Sequence, residues 1–166
     1  MTAIASLLDA AAHGRRPDAA QALRLAEYDD LAALTAGAGA LRDQGFGNGV
    51  TYSRKIFIPL TQLCRDVCHY CTFAQAPKRV LEPYMSLDAV VALARDGARL
   101  GCKEALFTLG ERPELRYKTA RDALARLGYA STLDYLAAAA ERVFTETGLL
   151  PHMNPGTLSA AECDQL

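Results

Sequence analysis

Three of the five cysteines of this 166-residue chain lie within eight residues, in the segment Cys64-Arg-Asp-Val-Cys68-His-Tyr-Cys71. This C-x3-C-x2-C spacing follows a short apolar run at 56–60, which is typical of a β-strand. Three thiolates can hold three corners of a cubane 4Fe-4S cluster and leave the fourth iron without a protein ligand. An iron with an open position can bind and reduce a small molecule. The motif therefore favours an iron–sulfur centre that carries its own ligand site.

Other kinds of cysteine chemistry fit the same residues. Tetrahedral zinc could be held by the three cysteines and His69 or a distant histidine, although the adjacent Cys68 and His69 would rarely turn both side chains to one metal. The outlying Cys102 and Cys163 could complete a four-cysteine site, but we interpret them as small core residues. A redox dithiol at Cys68 and Cys71 is a third possibility, although such pairs usually open a helix and need no third cysteine. The odd count and tight clustering disfavour a secreted disulfide framework.

The composition argues against several classes of partner. The 18 Lys and Arg residues against 19 Asp and Glu give a net charge of −1, with no overall attraction to nucleic acid or anionic lipid. No stretch reaches the ~18 consecutive apolar residues of a membrane span. The apolar start at 4–12 contains Asp9 and precedes its basic residues, unlike a signal peptide. We therefore expect a cytoplasmic protein with neither nucleic-acid nor membrane partners.

Strand and helix patterns alternate from the apolar run at 56–60 onwards. Further apolar runs at 105–109 and 149–153 predict two more strands, and the continuous apolar character predicts strands buried on both faces. Periodicity and the capping residues Ser86 and Ser131 predict helices over 87–100, 119–127 and 132–147, and a capping box predicts a helix start at Ser159. This order indicates parallel βαβ units. The loops that follow the strands, namely the cysteine loop and those at Gly110 and Asn154, should then meet on one face.

The chain divides by composition into two parts. Residues 1–49 are rich in alanine and predict a helical N-terminal extension of two or three short helices. Residues 50–166 hold three βα units, whereas a closed barrel takes about eight. Because the chain stops just after a capping box, we interpret 50–166 as the first part of a longer, incomplete α/β domain. The alternative is a small open sheet of three strands.

Several blocks of this sequence resemble one family of radical S-adenosylmethionine enzymes. Besides the C-x3-C-x2-C motif with an aromatic before its last cysteine, the blocks are Tyr52-Ser-Arg-Lys, Cys68-His-Tyr-Cys-Thr-Phe73, Gly101-Cys-Lys-Glu-Ala-Leu-Phe-Thr-Leu-Gly110, Arg112-Pro-Glu114 and Gly148-Leu-Leu-Pro-His-Met-Asn-Pro-Gly156. They resemble the deazaflavin-forming FO synthases (7,8-didemethyl-8-hydroxy-5-deazariboflavin synthases), either the CofG-type subunit or the N-terminal half of the fused enzyme. The resemblance covers roughly residues 50–166.

The resemblance implies a partial radical-SAM TIM-type barrel, a 4Fe-4S cluster and S-adenosylmethionine as cofactors. Cys64, Cys68 and Cys71 would ligate the cluster, and S-adenosylmethionine at the open iron would be cleaved to a 5′-deoxyadenosyl radical. The family forms FO from the hydroxybenzyl adduct of 5-amino-6-ribitylaminouracil and releases ammonia, 5′-deoxyadenosine and methionine. The implied partners are this small-molecule substrate, the CofH-type enzyme or domain that makes it, and an electron donor.

The resemblance also implies five ligand-binding residues. Gly110 and Glu111 stand where the superfamily holds the methionine amine, and Tyr70 would contact the adenine. His152 and Asn154 end the third strand, where they could face the substrate. Each has an ordinary structural interpretation as well: a strand-to-helix turn, a packing aromatic or a structural histidine. Because the later strands are absent, we do not expect these 166 residues alone to be active; a non-catalytic zinc or iron–sulfur module, or an inactive remnant, is the alternative.

Overall fold

The computed structural model describes residues 3–166, which form two compact units that divide between Tyr52 and Ser53. The first unit consists of the helices α1 (Ala3–Ala12), α2 (Ala19–Ala26) and α3 (Leu31–Phe46). Alanine has the highest helix propensity of all residues, which accounts for helices in this segment. Asp18 caps α2 in a reciprocal capping box with Gln21. The prediction of two or three short N-terminal helices is confirmed.

The second unit is built on a parallel sheet with the strand order β1 (Lys55–Thr61), β2 (Glu104–Leu109) and β3 (Leu150–Asn154). The helices between and after the strands are α4 (Leu87–Arg99), α5 (Lys118–Leu127), α6 (Thr132–Thr147) and α7 (Ala160–Gln165). One-turn 3-10 helices occupy Pro77–Arg79 and Pro113–Leu115. The predicted order of strands and helices is confirmed. Within residues 3–166 the sheet is open, with β1 and β3 at its edges, so the barrel stays a prediction.

The sheet buries one of its two faces. Ile58 pairs with Phe107 in the register, and both side chains are fully buried. One residue away on β1, Phe57 pairs with Leu106, which pairs with His152. Phe57 is 47% exposed and His152 is also exposed. The prediction that the strands are buried on both faces is therefore wrong for these residues, because the helices of this unit cover one face only.

The buried face of the sheet packs against α4 and α6. At Gly97 of α4 an added Cβ would lie 2.6 Å from Cβ of Ile56, so glycine lets this helix lie close to β1. Ser131 caps α6 as the sequence indicates, since its side chain accepts a hydrogen bond from the Asp134 amide. None of the helices within residues 3–166 combines the length and the apolar character needed to cross a lipid bilayer.

Candidate functional site

The cysteine loop, residues 62–76, follows β1 directly and carries the three predicted ligands. Cys64 is half-buried, Cys68 and Cys71 are exposed, and all three are free thiols. They line one cavity of about 240 Å³. The Cys71 amide donates to the Cys68 carbonyl oxygen at 3.1 Å, so a tight turn joins these two cysteines. The fold thus brings the three cysteines of the motif around a common space.

Main-chain amides point at two of the three sulfurs. The amides of Asp66 and Glu111 donate to Sγ of Cys64 at 3.4 and 3.3 Å, and the Ala74 amide donates to Sγ of Cys71 at 3.5 Å. Hydrogen bonds to cysteine sulfurs are among the features that tune iron–sulfur clusters. One of the two donors to Cys64 comes from the loop after β2. Two separate loops therefore fix the position of the Cys64 sulfur.

The donor set fits a metal centre in its chemistry but is not yet gathered around one point. Within residues 3–166 there is no group of three or more His, Cys, Asp or Glu side chains placed to hold a metal ion. Metal binding commonly completes the folding of its own site. For the three cysteines to hold one metal centre, the exposed part of the loop with Cys68 and Cys71 would have to move closer to Cys64.

The two outlying cysteines lie in different environments. Cys102 is partly buried and packs against the core, as expected from the sequence. Cys163 is exposed on α7, so the interpretation of this residue as a core cysteine is wrong. Cys163 is the fourth residue of the short helix α7 and is not part of the core cluster of the described residues. Neither residue lines the cavity that the three motif cysteines share.

The loop after β2 lies directly against the cysteine loop. The Gly110 amide donates to the Thr61 carbonyl oxygen at 3.0 Å. A Cβ added to Gly110 would lie 1.9 Å from the carbonyl oxygen of Leu63 and 2.7 Å from Cβ of Cys64. Atoms cannot approach so closely, so this position accepts glycine alone. The structure therefore places Gly110 beside the first cysteine, where it permits the close approach of two loops.

Glu111 is the point at which all three strand-terminal loops meet. Nη2 of Arg65, in the cysteine loop, donates to Oε1 of Glu111 at 2.5 Å, and the Arg65 amide donates to the Glu111 carbonyl oxygen at 2.9 Å. Gly156, in the loop after β3, has a φ of +91°, and a Cβ there would lie 2.9 Å from Oε2 of Glu111. The predicted convergence of the loops is confirmed. Among residues 3–166 no hydrogen bond occupies Oε2, so this oxygen is free to accept one from a ligand.

Arg116 is a component of the site that no sequence pattern indicates. It lies just after the 3-10 helix in the loop that follows β2, and it lines the same cavity as the three cysteines. Its Nη1 donates to the carbonyl oxygen of Arg65 at 2.8 Å, and its guanidinium carbon lies 5.3 Å from the ring centre of Tyr117. No motif marks this arginine, because its role depends on the contact between two loops that are far apart in sequence.

Tyr70 and Asn154 occupy the surface around the site. Tyr70 is 88% exposed in the cysteine loop and adjoins Cys71. Asn154 is the last residue of β3 and is exposed on the same face of the sheet as Phe57. Both side chains are therefore accessible to a ligand.

His152 belongs to a charged cluster that no sequence pattern indicates either. Its Nδ1 lies 3.0 Å from Oε2 of Glu104, which also accepts from Nζ of Lys55. These bonds, with the one from Lys55 contributing most and a further one from Ser53, lower the pKa of Glu104 to about 2. Lys55 and Glu104 begin their strands, at the end of the sheet opposite to the cysteine loop. His152 therefore lies on the exposed face of the sheet, and its Nδ1 contacts Glu104 of this cluster.

The chain is similar in sequence to curated proteins named FO synthase. It is 50% identical over 163 aligned residues to the protein from Mycobacterium leprae and 51% identical over 158 to that from Nocardia farcinica, in each case over 90% of this chain. A 7,8-didemethyl-8-hydroxy-5-deazariboflavin synthase from Methanopyrus kandleri is 46% identical over 117 residues, which is 70% of this chain and 35% of that protein. No family model matches the chain. The predicted resemblance is confirmed, and the chain spans about a fifth of the length of the two FO synthases, 19% and 18%.

Proposed function

We propose, since this chain is a homologue of FO synthases over nine-tenths of its length, that it is the part of such an enzyme that holds a 4Fe-4S cluster and S-adenosylmethionine. In this proposal it serves a radical S-adenosylmethionine lyase reaction. The substrate is the hydroxybenzyl adduct of 5-amino-6-ribitylaminouracil, and the product is the deazaflavin FO. Ammonia, 5′-deoxyadenosine and methionine are released.

The observation that carries the proposal is the direct contact between the first cysteine and the loop of Glu111. The Glu111 amide donates to Sγ of Cys64 at 3.3 Å, and the carboxylate of the same glutamate accepts from Arg65, the residue after Cys64. A metal ligand and a carboxylate are thereby held side by side. This is the arrangement needed for a ligand that reaches an iron and presents an ammonium group next to it.

The chain's own residues would divide the work at this site. Cys64, Cys68 and Cys71 would hold the cluster, which when bound supplies the electron that cleaves S-adenosylmethionine. Oε2 of Glu111 would accept a hydrogen bond from the methionine ammonium, because no group among residues 3–166 competes for it. Arg65 holds the other oxygen, so the carboxylate keeps one orientation. A charge-assisted bond of this kind is worth about 1.5–3 kcal/mol.

The exposed face of the sheet would receive the aromatic substrate. Phe57 presents an aromatic surface there and meets the ring of Phe73 edge-on, with the ring centres 6.2 Å apart. His152 and Asn154 lie on the same face and offer polar groups for hydrogen bonds. Tyr70, at the surface of the cysteine loop, would contact the adenine. A CofH-type enzyme or domain would make the adduct, and an electron donor would reduce the cluster.

Anaerobic reconstitution of the chain with iron and sulfide tests the proposal. We expect a broad absorbance near ~400 nm and about four irons per chain. Cys64→Ala, Cys68→Ala and Cys71→Ala should each lose this absorbance, because one corner of the cluster then lacks its thiolate. Cys102→Ala is the matched control, since this cysteine lies outside the shared cavity.

Two results would contradict the proposal. A colourless protein that binds about one zinc through the same cysteines would indicate the non-catalytic metal module instead. Loss of colour in Cys102→Ala as complete as in Cys68→Ala would refute a three-cysteine centre with an open iron.

A further inference from the structure

Arg116 is a cation that faces the cysteine cavity and has no acidic partner. Two charged side chains line this cavity, Asp66 and Arg116. Oδ1 of Asp66 lies 3.8 Å from Nε of Arg65, so the nearest cation to Asp66 is Arg65. Within residues 3–166 Arg116 forms no ion pair, and its one hydrogen bond from Nη1 goes to the Arg65 carbonyl oxygen at 2.8 Å. Its positive charge is therefore balanced by no carboxylate of the part of the chain that the structure describes.

The guanidinium is nevertheless held in a defined position. The hydrogen bond to Arg65 ties it to the cysteine loop, and the Tyr117 ring, 5.3 Å from the guanidinium carbon, supports it by a cation–π contact. With only one such contact, a long exposed side chain would sample several rotamers, and its charge would often lie away from the cavity. With two anchors the charge stays beside the space that Cys64, Cys68 and Cys71 surround.

We propose that Arg116 is the counter-charge of the iron–sulfur centre and raises its reduction potential. This inference rests on the proposed function, because it assumes a cluster on the three cysteines. Three thiolates and a 4Fe-4S core carry a net charge of about −1 when oxidised and about −2 when reduced, and charges near a cluster set its potential. A fixed positive charge stabilises the reduced form more than the oxidised form.

The test is a reduction titration of the reconstituted chain followed by electron paramagnetic resonance. In Arg116→Gln we expect the ratio of reduced to oxidised cluster at a fixed applied potential to fall about tenfold, which is a shift of ~59 mV for a one-electron couple. Arg116→Lys keeps the charge and should stay close to the unaltered chain. Because Arg116 is exposed, the difference between Arg116→Gln and the unaltered chain should shrink in 1 M salt.

Arg121→Gln is the matched control. Nη1 of Arg121 also donates to a backbone carbonyl oxygen, that of Glu114, at 2.7 Å, but this arginine does not line the cysteine cavity. The variant removes the same charge five residues further along the chain. Its cluster should keep the potential of the unaltered protein.

The possible outcomes separate this inference from the proposed function. If the unaltered chain forms no redox-active cluster, both are refuted. If it forms one and Arg116→Gln keeps the same potential, only the role of Arg116 is refuted. Equal shifts in Arg116→Gln and Arg116→Lys would show that geometry matters rather than charge, and would also overturn it. If Arg116→Gln loses more than half of its iron while the other variants keep theirs, Arg116 holds the loop in place. That result would refute its role as a counter-charge.

Discussion

Gly110→Ala tests whether the contact between the two loops is as close as the structure shows. The added methyl group would lie 1.9 Å from the Leu63 carbonyl oxygen and 2.5 Å from its carbon. Both are backbone atoms, so a rotamer change cannot relieve the clash. To reach even 3.0 Å from that oxygen the loops must separate by about 1.1 Å.

The magnitude of the effect follows from what this separation would break. Two backbone hydrogen bonds cross this contact: the Gly110 amide donates to the Thr61 carbonyl oxygen at 3.0 Å, and the Arg65 amide donates to the Glu111 carbonyl oxygen at 2.9 Å. Two lost backbone hydrogen bonds at about 1 kcal/mol each and an overpacking cost of about 1–3 kcal/mol give a loss of about 3–5 kcal/mol in the free energy of unfolding. Cys64 would move with the loop, so the iron content should fall as well.

Urea unfolding followed by far-UV circular dichroism measures the loss in the free energy of unfolding. Iron analysis after reconstitution measures the fall in iron content. Gly128→Ala is the control, because Gly128 has a φ of +85° but nothing lies within 4 Å of an added Cβ. Its backbone strain alone should cost about 1–2 kcal/mol. A loss in Gly110→Ala no greater than in the control, with full iron content, would refute the close contact.

Three further predictions concern single residues. Glu111→Gln should raise the dissociation constant for S-adenosylmethionine about ten- to a hundredfold without loss of iron; titration calorimetry that finds no change would move the amine site elsewhere. The pKa of Glu104 is lowered from 4.5 to about 2, so its ionised form stabilises the fold above about pH 4.5 and this contribution is lost as the pH falls towards 2. Glu104→Gln should therefore unfold at lower urea than the unaltered chain at pH 7 but at the same urea at pH 2, and equal midpoints at pH 7 would contradict this. Gly97→Ala should lower the free energy of unfolding by about 1–3 kcal/mol, because the added methyl group clashes with Ile56. The higher helix propensity of alanine should offset up to ~1 kcal/mol of this loss. A variant more stable than the unaltered chain would show that α4 can move away from β1.

The sequence predicted the elements of the fold better than their packing. The three strands lie within one or two residues of the apolar runs, and Ser86, Ser131 and Ser159 cap helices as expected. Such signals are local and can be recognised in a few consecutive residues. Which face of a strand is buried is not local, because it depends on where the helices lie. Phe57 therefore was expected to be buried and is half exposed.

The candidate site was also predictable only where its features are local in sequence. The cysteine spacing and the position of Glu111 after a strand are visible in the sequence. The Arg65–Glu111 ion pair joins residues 46 positions apart, and the cluster around Glu104 joins three strands. The periodicity of apolar residues carries no information about such long-range pairs. The need for glycine at Gly110 becomes clear once the Leu63 carbonyl oxygen is in place.

The three motif cysteines differ in how far the protein has prepared them, and this has a consequence for assembly. Cys64 is half-buried with two amide donors on its sulfur, whereas Cys68 and Cys71 are exposed in a turn. Reaction of a cysteine with an oxidant requires access to its sulfur. The two amide contacts hold the Cys64 sulfur in place, so we expect iron to be captured first there, with the exposed pair closing over it afterwards. Until they close, Cys68 and Cys71 are the thiols that air will oxidise, so exposure to oxygen before iron loading should damage this pair first.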